Sequence, residues 1–127
     1  MLDMGTGGGE WLSSLRVRAP ITIATESWTP NVGVAKARLS TFGVPVVHTE
    51  GAPDNQHQEP GDMTGRLPFL SATFDLVTNR HESFQAVEVT RILRPNGVFL
   101  TQQTHSGSRQ FHELLEVEPK LALISSR

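Results

Sequence analysis

The stretch LDMGTGGGEW, residues 2 to 11, constrains the fold of this chain more than any other. MLDM reads as a short buried strand, and it runs straight into a cluster of glycines. Residues that can open a helix follow at once, with Trp11, Leu12 and Leu15 on one face at helical spacing. Strand, glycine turn and helix start in that order make an anion-friendly corner, because free backbone N–H groups and the helix dipole both point outward there.

The rest of the chain repeats the alternation. ITIAT, Ile21 to Thr25, is β-branched and apolar, as expected of a central parallel strand, and it ends at Glu26. Thr29 before Pro30 predicts a helix N-cap, with Val32, Ala35, Leu39 and Phe42 as the buried stripe and Gly43 as the stop. VPVVHT and FDLVTN, the latter Phe74 to Asn79, read as the third and fourth strands. SFQAVEVTRIL reads as a helix with Phe84, Val87, Arg91 and Ile92 near one side, closed by the turn RPNG, and VFLTQQ as a fifth strand. SRQFHELLEV predicts an amphipathic helix through Phe111, Leu114 and Leu115. Strands that alternate with helices predict an α/β, doubly wound, mainly parallel sheet, whose ligands lie just beyond the carboxyl ends of the strands.

Between the third and fourth strands, Glu50 to Pro68 is rich in Gly, Pro, Asp, Asn and Gln without apolar periodicity, which predicts a long functional loop. At 127 residues the chain is expected to form a single domain over 1–127. A formal charge of −2 gives no general pull toward nucleic acid, so RNA stays open as a partner only through a local basic patch. Zero cysteines exclude disulfides and thiolate metal sites, and histidines 48, 57, 81, 105 and 112 share no metal-ligand spacing. No apolar run is long enough for a membrane span and no signal-peptide pattern is present, so a cytoplasmic setting is the expectation.

The glycine loop separates candidate ligands. A dinucleotide fold wants G-x-G-x-x-G, but counting from Gly5 the third small position holds Glu10, and the pattern is instead G-x-G-x-G through Gly5, Gly7 and Gly9. Asp3, two residues ahead of Gly5, would repel a pyrophosphate and suit a cationic ligand. S-adenosyl-L-methionine carries an ammonium and a sulfonium, and its carboxylate suits the helix start. Glu26, ending the second strand, can accept hydrogen bonds from both hydroxyls of an adenosine ribose, as it would for NAD.

These blocks, LDMGTGGGE, ITIATESWTPNVGVAKARL, LPFLSATFDLVTNRHESF and EVTRILRPNGVFLTQQ, resemble in order the class I S-adenosylmethionine-dependent methyltransferases. The resemblance implies a Rossmann-like methyltransferase core of five strands in the order 3-2-1-4-5. By position it implies that Asp3, Gly5, Thr6, Gly7 and Gly9 line the methionine moiety, and that Glu26 holds the ribose with Ser27 beside it. Asp62 and Met63 would meet the adenine, with Asp54 and Asn55 as a competing placement. Asn79 and Arg80 would lie where the chain passes the methyl group and the acceptor. The family has a helix ahead of the first strand and two strands after the fifth; here Met1 falls inside the first strand and 25 residues follow Gln102, so a core trimmed at both ends is expected.

Methyl transfer from a sulfonium is an in-line displacement with a good leaving group, so positioning and exclusion of water suffice and no metal is required. Where the acceptor must lose a proton, His81 is the candidate base, with Glu82 orienting it or binding substrate; otherwise Asn79 to Ser83 simply cap the next helix. Trp11 and Trp28 read as packing residues, and Gln102 and Gln103 either reach the acceptor or satisfy the sheet edge. Three readings follow: a methyltransferase acting on an unidentified acceptor, a non-catalytic cofactor-binding module, and an NAD-dependent oxidoreductase, which Asp3 and Glu10 disfavour.

Overall fold

The computed structural model describes residues 1–53, 61 and 64–103. Five parallel strands form one sheet in the order β3-β2-β1-β4-β5. The elements in chain order are β1 (Leu2–Met4), α1 (Glu10–Ser14), β2 (Ile23–Glu26), α2 (Thr29–Ser40), β3 (Val46–His48), β4 (Phe74–Arg80), α3 (Ala86–Ile92) and β5 (Leu93–Gln102). The fold is therefore the doubly wound arrangement expected from the alternation. The helix expected over Ser108 to Val117 lies outside the described residues, as do Asp54, Asn55, Asp62 and Met63.

Side chains alternate across each strand, so the sheet has a core on each face, and β1 gives its two apolar side chains to one of them. Leu2 and Met4 join Val77, Phe74, Leu67, Val89 and Ile92 on the α3 side. On the other side Ala24 and Val46 pack with Leu12 of α1 and Ala35 and Leu39 of α2. Leu2, Leu12, Leu39 and Ile92 are fully buried, and burial of each such side chain stabilises the fold by about 2 kcal/mol. Asp3, between Leu2 and Met4, points to the α1 side together with Thr78 of β4, its register partner.

Several boundaries differ from the sequence expectation for identifiable reasons. The second strand starts at Ile23 rather than Ile21, because Ile21 precedes the first residue paired with β1 and is 75% exposed. Trp28, not Thr29, is the N-cap of α2, and its own N–H is taken by Glu26 Oε1 at 2.8 Å; Thr29 is the first helical residue and Pro30 the second. Phe42 lies beyond the end of α2, where Arg18 stacks over its ring 4.2 Å from the centroid. Trp28 does not pack either, being 63% exposed, whereas Trp11 lies against the α1–α2 core. In α3 the inward face is Glu88, Val89 and Ile92, which leaves Val87 on the opposite side at 76% exposure. The RPNG turn is an excursion at the start of β5: the ladder with β4 skips from Phe74–Leu93 to Leu76–Val98, and Asn96 takes φ 65.

A polar clamp explains how a charged residue sits on the inner face of α3. Glu88 Oε2 accepts the Leu67 N–H at 2.8 Å and pairs with Arg91, whose guanidinium also donates to the carbonyls of Leu67 and Phe69. Gln85 adds a hydrogen bond to the Thr64 carbonyl. The segment before β4, containing LPF, is thereby fastened to α3 through its backbone.

Candidate functional site

The carboxyl ends of β1, β2 and β4 converge on the glycine loop. Gly5, Gly7 and Gly9 all take positive φ, at 62, 65 and 81, which lets the loop reverse within five residues. Their bare backbones serve different ends. A Cβ at Gly5 would lie 2.4 Å from Glu82 Cβ, and one at Gly9 would lie 2.8 Å from Leu39 Cγ. At Gly7 the nearest atom would be Glu10 Oε2, at 3.8 Å. Gly7 is thus the glycine with room beside it, and Gly5 is small because another side chain of this protein rests on it.

Glu26 ties the loop to β2. Its Oε2 accepts the Gly7 N–H at 2.7 Å, and its Oε1 accepts the N–H groups of Ser27 and Trp28 at 3.0 and 2.8 Å. At 4% exposure this carboxylate fastens the turn leading into α2 and holds the glycine turn together. One N–H expected to be free for an anion is therefore already given to an acid. The helix expected after the loop is short, five residues, so it contributes little dipole.

Asp3 is 3% exposed and accepts a 2.6 Å hydrogen bond from Thr78 Oγ1. Burial pushes its carboxyl above the usual range, and the Thr78 hydrogen bond and the Arg80 charge offset part of that. The Thr6 hydroxyl lies close enough to Asp3 to help hold its charge, yet it forms no hydrogen bond of good geometry and is buried without a partner. Asp3, Gly5, Thr6, Gly7, Trp11, Arg80 and His81 line one cleft of about 210 Å³. Glu10 borders it too, but its carboxylate is turned to Arg38, 2.6 Å away; its own N–H, and then Arg38, hold the group below the usual range.

After β4 the chain turns through Arg80, His81 and Glu82. Arg80 is the last residue of β4, its Nε donating to Gln102 and its guanidinium lying 5.3 Å from the Trp11 ring centroid. His81 takes φ 63, the left-handed region, and that turn sends neighbouring side chains apart. His81 borders the Asp3 cleft, while Glu82 receives the Ser27 hydroxyl on Oε1 at 2.7 Å. Glu82 therefore bonds Ser27 rather than orienting His81. Burial, then repulsion by Glu26, keeps the Glu82 carboxyl above its usual range despite the Ser27 hydrogen bond.

Gln103 braces this turn, a role sequence reading left open between edge and acceptor. Its Nε2 donates to Asn79 Oδ1, the Glu82 carbonyl and Thr101 Oγ1 at 3.0, 3.2 and 3.0 Å. Asn79 is fully buried, and its Nδ2 has no partner. Among the described residues no group of three acidic, histidine or cysteine side chains is placed to hold a metal, and no helix is long and apolar enough to cross a membrane.

A five-stranded parallel sheet in the order 3-2-1-4-5, with a glycine loop after β1, an acid within β1 and another ending β2, defines a Rossmann-like α/β protein. The family model described as methyltransferase domain matches residues 2–101, and the chain belongs to that family. No curated protein matches it. Among solved structures, the YcgJ protein of Bacillus subtilis superposes with a TM-score of 0.59 at 25% identity, covering 79% of this chain and 42% of that one. A SAM-dependent methyltransferase of Aquifex aeolicus gives 0.53 at 21% identity over 74% of this chain and 50% of the other. The [4+2]-cyclase SpnF gives 0.59 at 19% identity over 84% and 40%. The chain thus spans about 40–50% of the length of these structures, and the cyclase shows that one fold carries more than one reaction.

Proposed function

We propose that residues 1–127 form one domain that binds S-adenosyl-L-methionine and transfers its methyl group to an acceptor, a small molecule or an RNA. The observation that carries this reading is the Glu26–Gly7 hydrogen bond beside buried Asp3. A pyrophosphate entering here would find the Gly7 N–H already donated to a carboxylate, with Asp3 and Glu10 as further negative charge. A sulfonium and ammonium would instead meet complementary charge, so the residues fit the methyl donor better than NAD.

The donor supplies an electrophilic methyl carbon whose leaving group is a neutral thioether. The chain's part is to hold and exclude. Asp3, Thr6 and Gly7 line the space for the cationic end, Glu26 and Ser27 stand at the ribose, and Asn79 and Arg80 face the acceptor side. His81, on the rim of the same cleft, takes the acceptor's proton where the nucleophile carries one. Asp62 and Met63 remain the proposed adenine contacts.

Isothermal calorimetry with S-adenosylhomocysteine and with NAD tests the reading. Binding of the first and not the second is the expected result; binding of NAD alone would sink it. Tritium transfer from labelled donor to small-molecule extracts or to RNA then separates a transferase from a module that binds without turnover.

A further inference from the structure

The α1 face of the sheet is unevenly covered. Every second residue of a strand lies on one face, so Thr78 and Arg80 of β4 share it with their register partners Leu100 and Gln102 of β5. The helices of that face pack over β2 and β3, where Ala24 and Val46 meet Leu12, Ala35 and Leu39. Over β5, Leu100 is only partly buried and Val98 is 56% exposed. A space of about 160 Å³ lies there, bordered by Trp11, Thr78, Arg80, Leu100 and Gln102. Trp11 and Arg80 also border the Asp3 cleft, so this pair is a boundary common to both spaces.

Arg80 is equipped to bind an anion at that boundary. Its Nε donates to Gln102 Oε1 at 3.0 Å, and its guanidinium carbon lies 5.3 Å from the Trp11 ring centroid, which fixes the group from two sides. Nη1 and Nη2 make no hydrogen bond among the described residues, and no carboxylate of those residues pairs with them. The Arg80 charge is felt at Asp3, but the Asp3 carboxylate takes its hydrogen bond from Thr78. The ammonium of the methyl donor would match Asp3, which leaves the guanidinium for a second anion. Two neighbouring N–H donors in a rigid fork suit a carboxylate.

Size limits the rest of that ligand. An apolar cavity of about 150 Å³ takes up benzene, whereas pockets for drug-sized ligands begin at roughly 300 Å³. We infer that this space is the acceptor subsite and takes a small aromatic acid: one ring lies against Leu100 and Trp11, and its carboxylate is held by Arg80. The assignment rests on the cofactor reading given above and narrows the acceptor to a small molecule.

The test is fluorine NMR titration of the full chain with 4-fluorobenzoate and 4-fluorobenzamide, with and without saturating S-adenosylhomocysteine, in wild type, Arg80→Gln and Leu100→Trp. The benzoate should bind wild type about tenfold tighter than the uncharged amide, and S-adenosylhomocysteine should preserve that preference. Arg80→Gln should remove the preference and leave the affinity for the amide unchanged. Leu100→Trp, which fills the place of the ring, should weaken both compounds about tenfold, and it decides the matter if Arg80→Gln does not fold. No saturable binding of the benzoate, equal affinity for the two compounds, a preference that survives in Arg80→Gln, or unaltered binding in Leu100→Trp overturns the assignment while the cofactor reading stands. A preference that S-adenosylhomocysteine abolishes gives Arg80 to the donor's own carboxylate and overturns it as well. A wild type that does not bind S-adenosylhomocysteine overturns the cofactor reading and the acceptor role with it.

Discussion

Glu26 at the end of β2 and Gly7 in the loop after β1 are joined by a 2.7 Å hydrogen bond across 19 residues of sequence. Through it the acid that ends β2 and the glycine turn are held together. Glu26→Ala should therefore unfold more easily as well as bind less, because the N–H groups of Gly7, Ser27 and Trp28 lose their acceptor. A loss of roughly 2–4 kcal/mol in urea denaturation is expected, together with S-adenosylhomocysteine affinity too weak to measure. Unchanged stability would show that the carboxylate is not the anchor of the loop.

Asp3 should trade stability for binding. Its carboxyl is raised by burial, so the folded state holds the proton more tightly than the unfolded chain does. The resulting stability is present at low pH and is lost as pH rises through the raised value. Asp3→Asn keeps an oxygen for the Thr78 hydroxyl, so its melting temperature should exceed that of wild type at pH 7.5, and the gap should close toward pH 4. Its affinity for S-adenosylhomocysteine should fall about tenfold, the factor that 1.4 kcal/mol gives. Equal melting temperatures at both pH values would count against the burial argument.

The two loop glycines should respond differently to the same substitution. Gly7→Ala meets only an ordinary contact with Glu10 and costs its left-handed backbone, about 1 kcal/mol. Gly5→Ala adds a collision with Glu82 and should cost roughly 2–4 kcal/mol. Adding Glu82→Gly, which removes the Cβ that lies 2.4 Å away, should recover part of the second loss and none of the first, which a double-mutant cycle in urea would read directly.

The α3 clamp should matter more than the surface pair near it. Arg91→Ala leaves the Glu88 carboxylate buried and two carbonyls unpaired, a loss of about 3 kcal/mol. Arg94→Ala removes an exposed contact to Asp75 and should cost under about 0.5 kcal/mol. The hydrogen bond from Arg91 holds the Glu88 carboxyl below its usual range, so the pair's stability is present above the ordinary carboxylate value and fades as pH falls through the lowered one. In Arg91→Ala the acid limb of the stability curve should move to higher pH.

Much of the fold was legible because periodicity and punctuation are local. β-branched runs such as ITIAT, the proline opening α2, Gly43 and the RPNG turn all act within a few residues of where they stand. The misreadings were also local in kind: Ile21, Phe42 and Val87 are apolar at plausible spacing, but the core lies on another face or ends sooner. Spacing names a stripe; what packs against it decides whether the stripe is buried.

The sequence by itself determined the order of elements, the strand order by resemblance, and the acids at Asp3 and Glu26. Tertiary structure decided what each group does. It assigned Gly5 to Glu82, Gly9 to Leu39 and Gly7 to the cleft, and it turned His81 and Glu82 toward different spaces. The physical reason is range. The Ser27–Glu82 hydrogen bond spans 55 residues and the Thr78–Asp3 bond spans 75. Such contacts are set by strand pairing and by the left-handed turn at His81, and no local pattern in the chain encodes them.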